Sequence, residues 1–163
     1  MNFPVNGYPV IRKRRNRRTG FIRNLTNEFH LSTEDLILPI FLIKGKNKKQ
    51  KIKSMDNIFR YSIDKAIEIL SSAFDAGITT TILFPCVEPH EKDAEGSEAY
   101  NPKGLIQEAI AQIKLALPEL GVITDIALDP FTTHGHDGVL NQDGQVDNDL
   151  TIEILKKQAL SHA

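Results

Sequence analysis

The chain contains one cysteine, no tryptophan and only 7% aromatic residues. A lone Cys86 excludes an internal disulfide framework and a multi-cysteine zinc site. A reduced, cytoplasmic setting is therefore expected. No stretch approaches the ~18 apolar residues that a membrane helix needs. The basic N-terminus has no apolar run behind it, so no secretory signal is expected. A glycine-rich phosphate loop is also missing. The segment after the first apolar run reads Lys44-Gly45-Lys46-Asn47, which lacks a dinucleotide fingerprint. What remains is a chain of 163 residues, 40% hydrophobic and 25% charged, which fits one globular domain rather than disorder.

Net charge is −1, but the charge is unevenly placed. Residues 1–60 carry 14 Lys and Arg against 4 Asp and Glu, and residues 61–163 carry 6 against 17. Two basic runs dominate the first part: Arg12 to Arg18, and Lys44–Lys53 with six lysines. A basic arm over residues 1–18 can bind phosphate backbones, dock on an acidic neighbouring subunit, or stay a solvated tail. Few aromatics interleave with its arginines, so a single-strand stacking surface is poorly supported. Pro4, Gly7 and Pro9 oppose regular structure there, and the arm reads as extended.

Alternating strand and helix signals follow. A short helix is predicted over Gly20–Phe29. Leu36–Ile43 is a nearly continuous apolar run, as in a strand buried on both faces, although it contains Pro39. Gly45–Lys53 reads as a polar loop. Ile63, Ala66, Ile67, Leu70, Ala73 and Phe74 recur at helical spacing, with Ser62 as cap and Gly77 as stop. A second strand spans Thr79–Phe84. A helix opens at Asn101-Pro102 and stops near Pro118. A third strand covers Val122–Leu128, and a last helix starts at Asp149 or Thr151. This β-α-β-α-β-α order predicts a parallel α/β sheet with right-handed crossovers. Without a phosphate loop, a partial (β/α)8 TIM barrel of about three strand–helix units is the better reading. It would occupy residues 19–163.

In such a barrel the chemistry lies at the carboxyl ends of the strands. The third strand runs into Asp125-Ile126-Ala127-Leu128-Asp129-Pro130-Phe131-Thr132-Thr133-His134-Gly135-His136-Asp137, with three carboxylates and two histidines. Asp125, Ala127 and Asp129 share one side of an extended chain, and Asp137 can return through the glycine-containing loop. Such a group can bind a hard cation or orient a substrate amine, while the histidines can ligate a softer metal or shuttle protons. The bland alternative is a hydrogen-bonded loop cap. Cys86 lacks an assignable base and reads as structural. Lys44 is the one lysine beside a strand end. It sits among five other lysines in a hydrophilic loop, a poor setting for the desolvated amine of a Schiff base, although like charges would lower its pKa.

Five stretches carry a family resemblance: RKRRNRR at Arg12–Arg18, SMDNIFRYS at Ser54–Ser62, KDAEGSEAYNPKGLIQEAI at Lys92–Ile110, ITDIALDPFTTHGHDG at Ile123–Gly138 and KQALSHA at Lys157–Ala163. They resemble the N-terminal half of the porphobilinogen synthase (5-aminolevulinate dehydratase) family, in the same order. The resemblance implies a TIM barrel with an extended N-terminal arm that wraps a neighbouring barrel, in assemblies that are typically homo-octamers. It implies condensation of two 5-aminolevulinate molecules to porphobilinogen in tetrapyrrole (haem) biosynthesis. No nucleic acid or membrane partner is expected.

By the same resemblance, Asp125 matches an active-site aspartate that positions substrate or relays protons. Zinc-dependent members carry cysteines at the positions of Ala127, Asp129 and Asp137, so a three-cysteine zinc site is excluded here. The aspartate-rich pattern implies Mg²⁺, with Asp129 and Asp137 as candidate ligands. The family's two Schiff-base lysines have no match in this chain. The 163 residues alone are therefore expected to be catalytically inactive; the alternative to an enzyme half is an assembly-only form that keeps just the arm's docking role.

Overall fold

The computed structural model describes Gly7 and residues 14–163. Most of the expected arm, residues 1–6 and 8–13, lies outside the described residues. The chain divides into two compact units, Met1–Ser32 and Thr33–Ala163.

In the first unit Arg15–Arg17 forms one 3₁₀ turn, followed by helix α1, Gly20–Leu25. The helix is shorter than the Gly20–Phe29 expectation. Thr26 leaves helical geometry with its hydroxyl bonded back to the Ile22 carbonyl at 2.8 Å. That local bond is the reason threonine competes poorly inside helices.

The second unit is a five-stranded sheet in the order β2-β3-β1-β4-β5, where three strands were expected. The strands are β1 (Ile37–Leu42), β2 (Lys49–Lys51), β3 (Phe59–Tyr61), β4 (Thr80–Pro85) and β5 (Gly121–Thr124). Strands β3, β1, β4 and β5 run parallel, and β2 pairs antiparallel with β3. The polar-loop expectation for Gly45–Lys53 is thus corrected. Lys49-Gln50-Lys51 is polar throughout and shows no alternation. It becomes a strand by backbone pairing with Phe59–Tyr61, while the Lys49 ammonium lies 4.2 Å from the Phe59 ring centre.

Pro39 is tolerated in a central strand for a reason of register. The Leu42 carbonyl accepts from Cys86 N–H in the β4 direction, and Ile43 N–H donates to Tyr61 in the β3 direction. Odd-numbered β1 residues therefore face β3. That strand pairs only with Phe41 and Leu42, so the missing N–H of Pro39 breaks no ladder bond.

Helices α2 (Ile63–Asp75) and α3 (Leu105–Ala116) cover one face of the sheet. Ile40, Leu42 and Leu83 meet Ile63, Ala66 and Leu70 of α2 and Ile106, Ala109 and Ile113 of α3 in one core. Ser62 stands at the N-cap position of α2, but its hydroxyl accepts from Lys48 N–H rather than capping the helix. Gly77 stops α2 at φ +92°, where a side chain would be strained and its Cβ would lie 2.6 Å from Thr33 Oγ1. Helix α3 starts four residues later than expected. Asn101 instead builds a turn, its Oδ1 accepting from Lys103 N–H and its carbonyl from Gly104 N–H. Helix α4, Asn148–His162, is capped by Asp147, whose carboxylate accepts from Leu150 N–H at 3.0 Å.

The opposite sheet face is left bare within this unit. Phe41 and Phe84 stack there with ring centres 5.6 Å apart, and Ile37 and Ile123 are exposed. Among the described residues, no helix is long and apolar enough to cross a membrane.

Candidate active site

Parallel pairing puts the carboxyl ends of β1, β4 and β5 at one edge of the sheet, and each is followed by polar residues. Lys44, just past β1, donates to Glu98 Oε1 at 3.1 Å and to Glu91 Oε1; both acids come from the loop after β4. Burial pushes the Lys44 pKa down, but the two glutamates outweigh it and the pKa is raised overall. Glu91 is lowered by the bond from Lys44. The sequence placed Lys44 among like charges and so missed this pairing. Its neighbours in space are acids 47 and 54 positions away, and no local pattern reports them.

The segment after β5 differs from its sequence reading in one respect. The strand ends at Thr124, not Leu128, so Asp125–Asp129 is a connecting segment and not a strand end. The three carboxylates nonetheless act on one another. Burial, then the charges of Asp137 and Asp125, raise the pKa of Asp129, with Lys92 opposing them. Asp137 is further held by Leu128 N–H, which donates to its Oδ1 at 2.6 Å. Asp125, Asp129 and Asp137 are all exposed, while Ala127, Leu128 and Phe131 between them are buried. Buried apolar side chains thus anchor the backbone, and the acids project from it.

Two loops are sewn together here. Asp93 and Thr132 form a parallel bridge, with Asp93 N–H donating to the Phe131 carbonyl and Thr133 N–H to the Asp93 carbonyl. The Asp93 carboxylate accepts from Glu95 N–H, Ser97 N–H and the Ser97 hydroxyl. His134 Nε2 lies 3.1 Å from the Ala94 carbonyl, and its Nδ1 accepts from His136 N–H. Both ring nitrogens of His134 are thereby engaged, which makes it a clasp between the loops rather than a free metal ligand or proton shuttle. Cys86 is half-buried and donates its N–H to the Leu42 carbonyl, continuing the ladder.

A sheet with parallel strands, helices on one face and charged groups gathered at the carboxyl ends defines part of a TIM barrel. The sequence profile of the delta-aminolevulinic acid dehydratase family matches residues 10–163. The chain belongs to that family. It is 46% identical over 154 residues to the delta-aminolevulinic acid dehydratase of Bradyrhizobium diazoefficiens, covering 94% of this chain and 43% of the relative. The Chlamydia pneumoniae enzyme of the same name is 44% identical over 152 residues, covering 93% and 46%. A crystal structure of the Toxoplasma gondii ME49 delta-aminolevulinic acid dehydratase (porphobilinogen synthase), in complex with the reaction product porphobilinogen, superposes with a TM-score of 0.89. It is 36% identical and covers 93% of this chain and 43% of that one. The chain spans under half the length of these relatives.

Proposed function

We propose that this chain supplies the first half of a porphobilinogen synthase barrel, in which two 5-aminolevulinate molecules condense to porphobilinogen. The observation that carries the reading is the acidic group at the strand-end mouth of a chain in this family. Asp125, Asp129 and Asp137 come from one connecting segment, close enough that two of them raise the proton affinity of the third. 5-Aminolevulinate brings an ammonium group, and a mouth lined by carboxylates orients it by charge-assisted hydrogen bonds. Asp125 holds that ammonium or relays a proton from it.

The donor set also bears on a metal. Among the described residues, no three His, Cys, Asp or Glu side chains are grouped to hold an ion. Mg²⁺ does not require such a cage, because it retains several waters and takes only one or two carboxylates. Asp129 and Asp137 fit that requirement as hard oxygen donors that repel each other when both are ionised. Mg²⁺ bound there would supply a hard positive charge that relieves this repulsion.

The basic arm, residues 1–18, is proposed to dock on a neighbouring subunit in a homo-oligomer, in a cytoplasmic setting. The strong acidity of residues 61–163 gives a basic arm a complementary surface on a second copy. The Schiff-base lysines are proposed to come from outside this chain: Lys44, which follows β1, is held charged by Glu91 and Glu98.

A chimera tests the reading. Residues 10–163 replace the matching segment of the Bradyrhizobium diazoefficiens relative, and porphobilinogen formation from 5-aminolevulinate is measured. The expected result is turnover that Asp125→Asn lowers by about 10²-fold or more. A chimera that folds and assembles like its parent but makes no product overturns the proposal.

A further inference from the structure

The β4–β5 ladder stops for an identifiable reason. Its register pairs Thr80 with Gly121 and Leu83 with Thr124. Gly121 N–H donates to the Thr79 carbonyl, so odd-numbered β5 residues bond toward β4, each carbonyl facing the N–H one position past its partner. Carried one step further, the pattern sets the Asp125 carbonyl opposite the nitrogen of residue 85. That residue is proline and has no N–H to give. The ladder ends at this point, and the backbone of the acidic segment leaves the sheet.

Its released carbonyls are taken up by one side chain. Gln158 of α4 is fully buried. Its Nε2 lies 3.2 Å from the Ala127 carbonyl and 3.5 Å from that of Asp125. Among the described residues its Oε1 has no donor, so the amide orientation is fixed by the two carbonyls alone. The reversed amide would set oxygen against oxygen in a site without water access. Gln158 is itself held in register by the helix around it. Ser161 donates to the Gln158 carbonyl at 2.8 Å and accepts from Gln107 of α3 at 2.9 Å, and His162 Nδ1 meets Thr124 Oγ1 at 3.1 Å.

We propose that Gln158 is a positioning residue for the acidic mouth: it replaces the N–H that Pro85 withholds, and so fixes where the Asp125 and Asp129 carboxylates project. The inference rests on the proposed function for its catalytic consequence but not for its structural one. Gln158 touches backbone and no reacting atom. Its effect therefore falls on the rate with bound substrate, because a carboxylate misplaced by an ångström loses transition-state contact more than ground-state binding.

Pro85 supplies the decisive variant, because alanine there restores the missing N–H. In the chimera, Gln158→Leu is expected to lower kcat by about tenfold with KM changed less than about twofold. Adding Pro85→Ala is expected to recover at least about half of that loss on a logarithmic scale. In the 163-residue chain, amide exchange over residues 125–128 is expected to speed up in Gln158→Leu and to slow again in the double variant, whether or not turnover is seen. Wild-type kcat and wild-type exchange in a folded Gln158→Leu protein would overturn the proposal. So would a double variant no better than the single one. If the unsubstituted chimera lacks turnover, the functional reading fails, and the exchange arm still decides the role of Gln158.

Discussion

Asp93 shows how one side chain can fix the shape of a mouth. It lies in a tight turn, and its carboxylate takes two backbone N–H groups and a serine hydroxyl. Burial would raise its pKa, but the bonds from Ser97 and Glu95 prevail and lower it. A carboxylate whose pKa is lower in the folded than in the unfolded state stabilises the fold above its unfolded pKa. That contribution is lost as pH falls through the folded value. Urea unfolding followed from neutral pH downward is therefore expected to show stability declining below about pH 4, the ordinary aspartate range. Asp93→Ala should remove about 1–3 kcal/mol at pH 7, since three donors lose a charged acceptor. Asp93→Asn should flatten the acid limb. An acid limb unchanged in Asp93→Asn would show that other carboxylates dominate it. The role of Asp93 as a hub was not legible in the sequence, because Thr132 and Phe131 are distant in sequence and meet it only in the fold.

Among the elements, α4 combines local stability with the geometry of the site. Its first turn depends on Asp147, whose carboxylate takes Leu150 N–H and whose carbonyl takes both Thr151 N–H and the Thr151 hydroxyl. Asp147→Ala should cost about 1 kcal/mol in urea unfolding, the usual cost of losing an N-cap. Because Gln158 lies on the same helix, amide exchange should quicken first near residue 148 and last near residue 158. The helix was legible to within one to three residues of its start, expected at Asp149 or Thr151 and found at Asn148, but the residues it buries are Thr151, Ile154 and Gln158, while Ile152 is exposed. Helix α2 was equally legible, because Ile63, Ala66 and Leu70 repeat at the helical period and Gly77 supplies the left-handed stop. Strands β2 and β3 were not. They are three residues each, and their stability comes from cross-strand bonds that a pattern of polar and apolar residues does not encode. The end of β5 was misplaced for a related reason. Val122–Leu128 is rich in β-branched and apolar residues on both sides of Asp125, but where the ladder stops is decided by Pro85 on the neighbouring strand.

At the scale of the whole molecule, the proposed function divides the labour of the mouth between charged groups of this chain that stay charged and a nucleophile, supplied from outside it, that must not. A Schiff-base amine has to be neutral to attack a ketone. A lysine of ordinary pKa near 10.4 is neutral in well under about 1% of molecules at pH 7, and burial away from carboxylates is what raises that fraction. Lys44 experiences the reverse: Glu91 and Glu98 raise its pKa, which corrects the expectation that lysine neighbours would lower it. The proximity of Asp125, Asp129 and Asp137 was legible in the sequence because they lie in one short segment. The Lys44 ion pairs were not, because they join the ends of two different strands. Sodium borohydride added to the 163-residue chain with 5-aminolevulinate is therefore expected to leave every lysine unmodified by mass spectrometry. The chimera under the same conditions should gain a reduced adduct, on a lysine of the relative's portion. Lys44→Ala in the chimera should preserve that adduct, since the side chain braces the loop after β4 and does not attack substrate. An adduct on Lys44, or on any lysine of this chain, would mean that the half-barrel carries its own nucleophile and that no such division of labour exists.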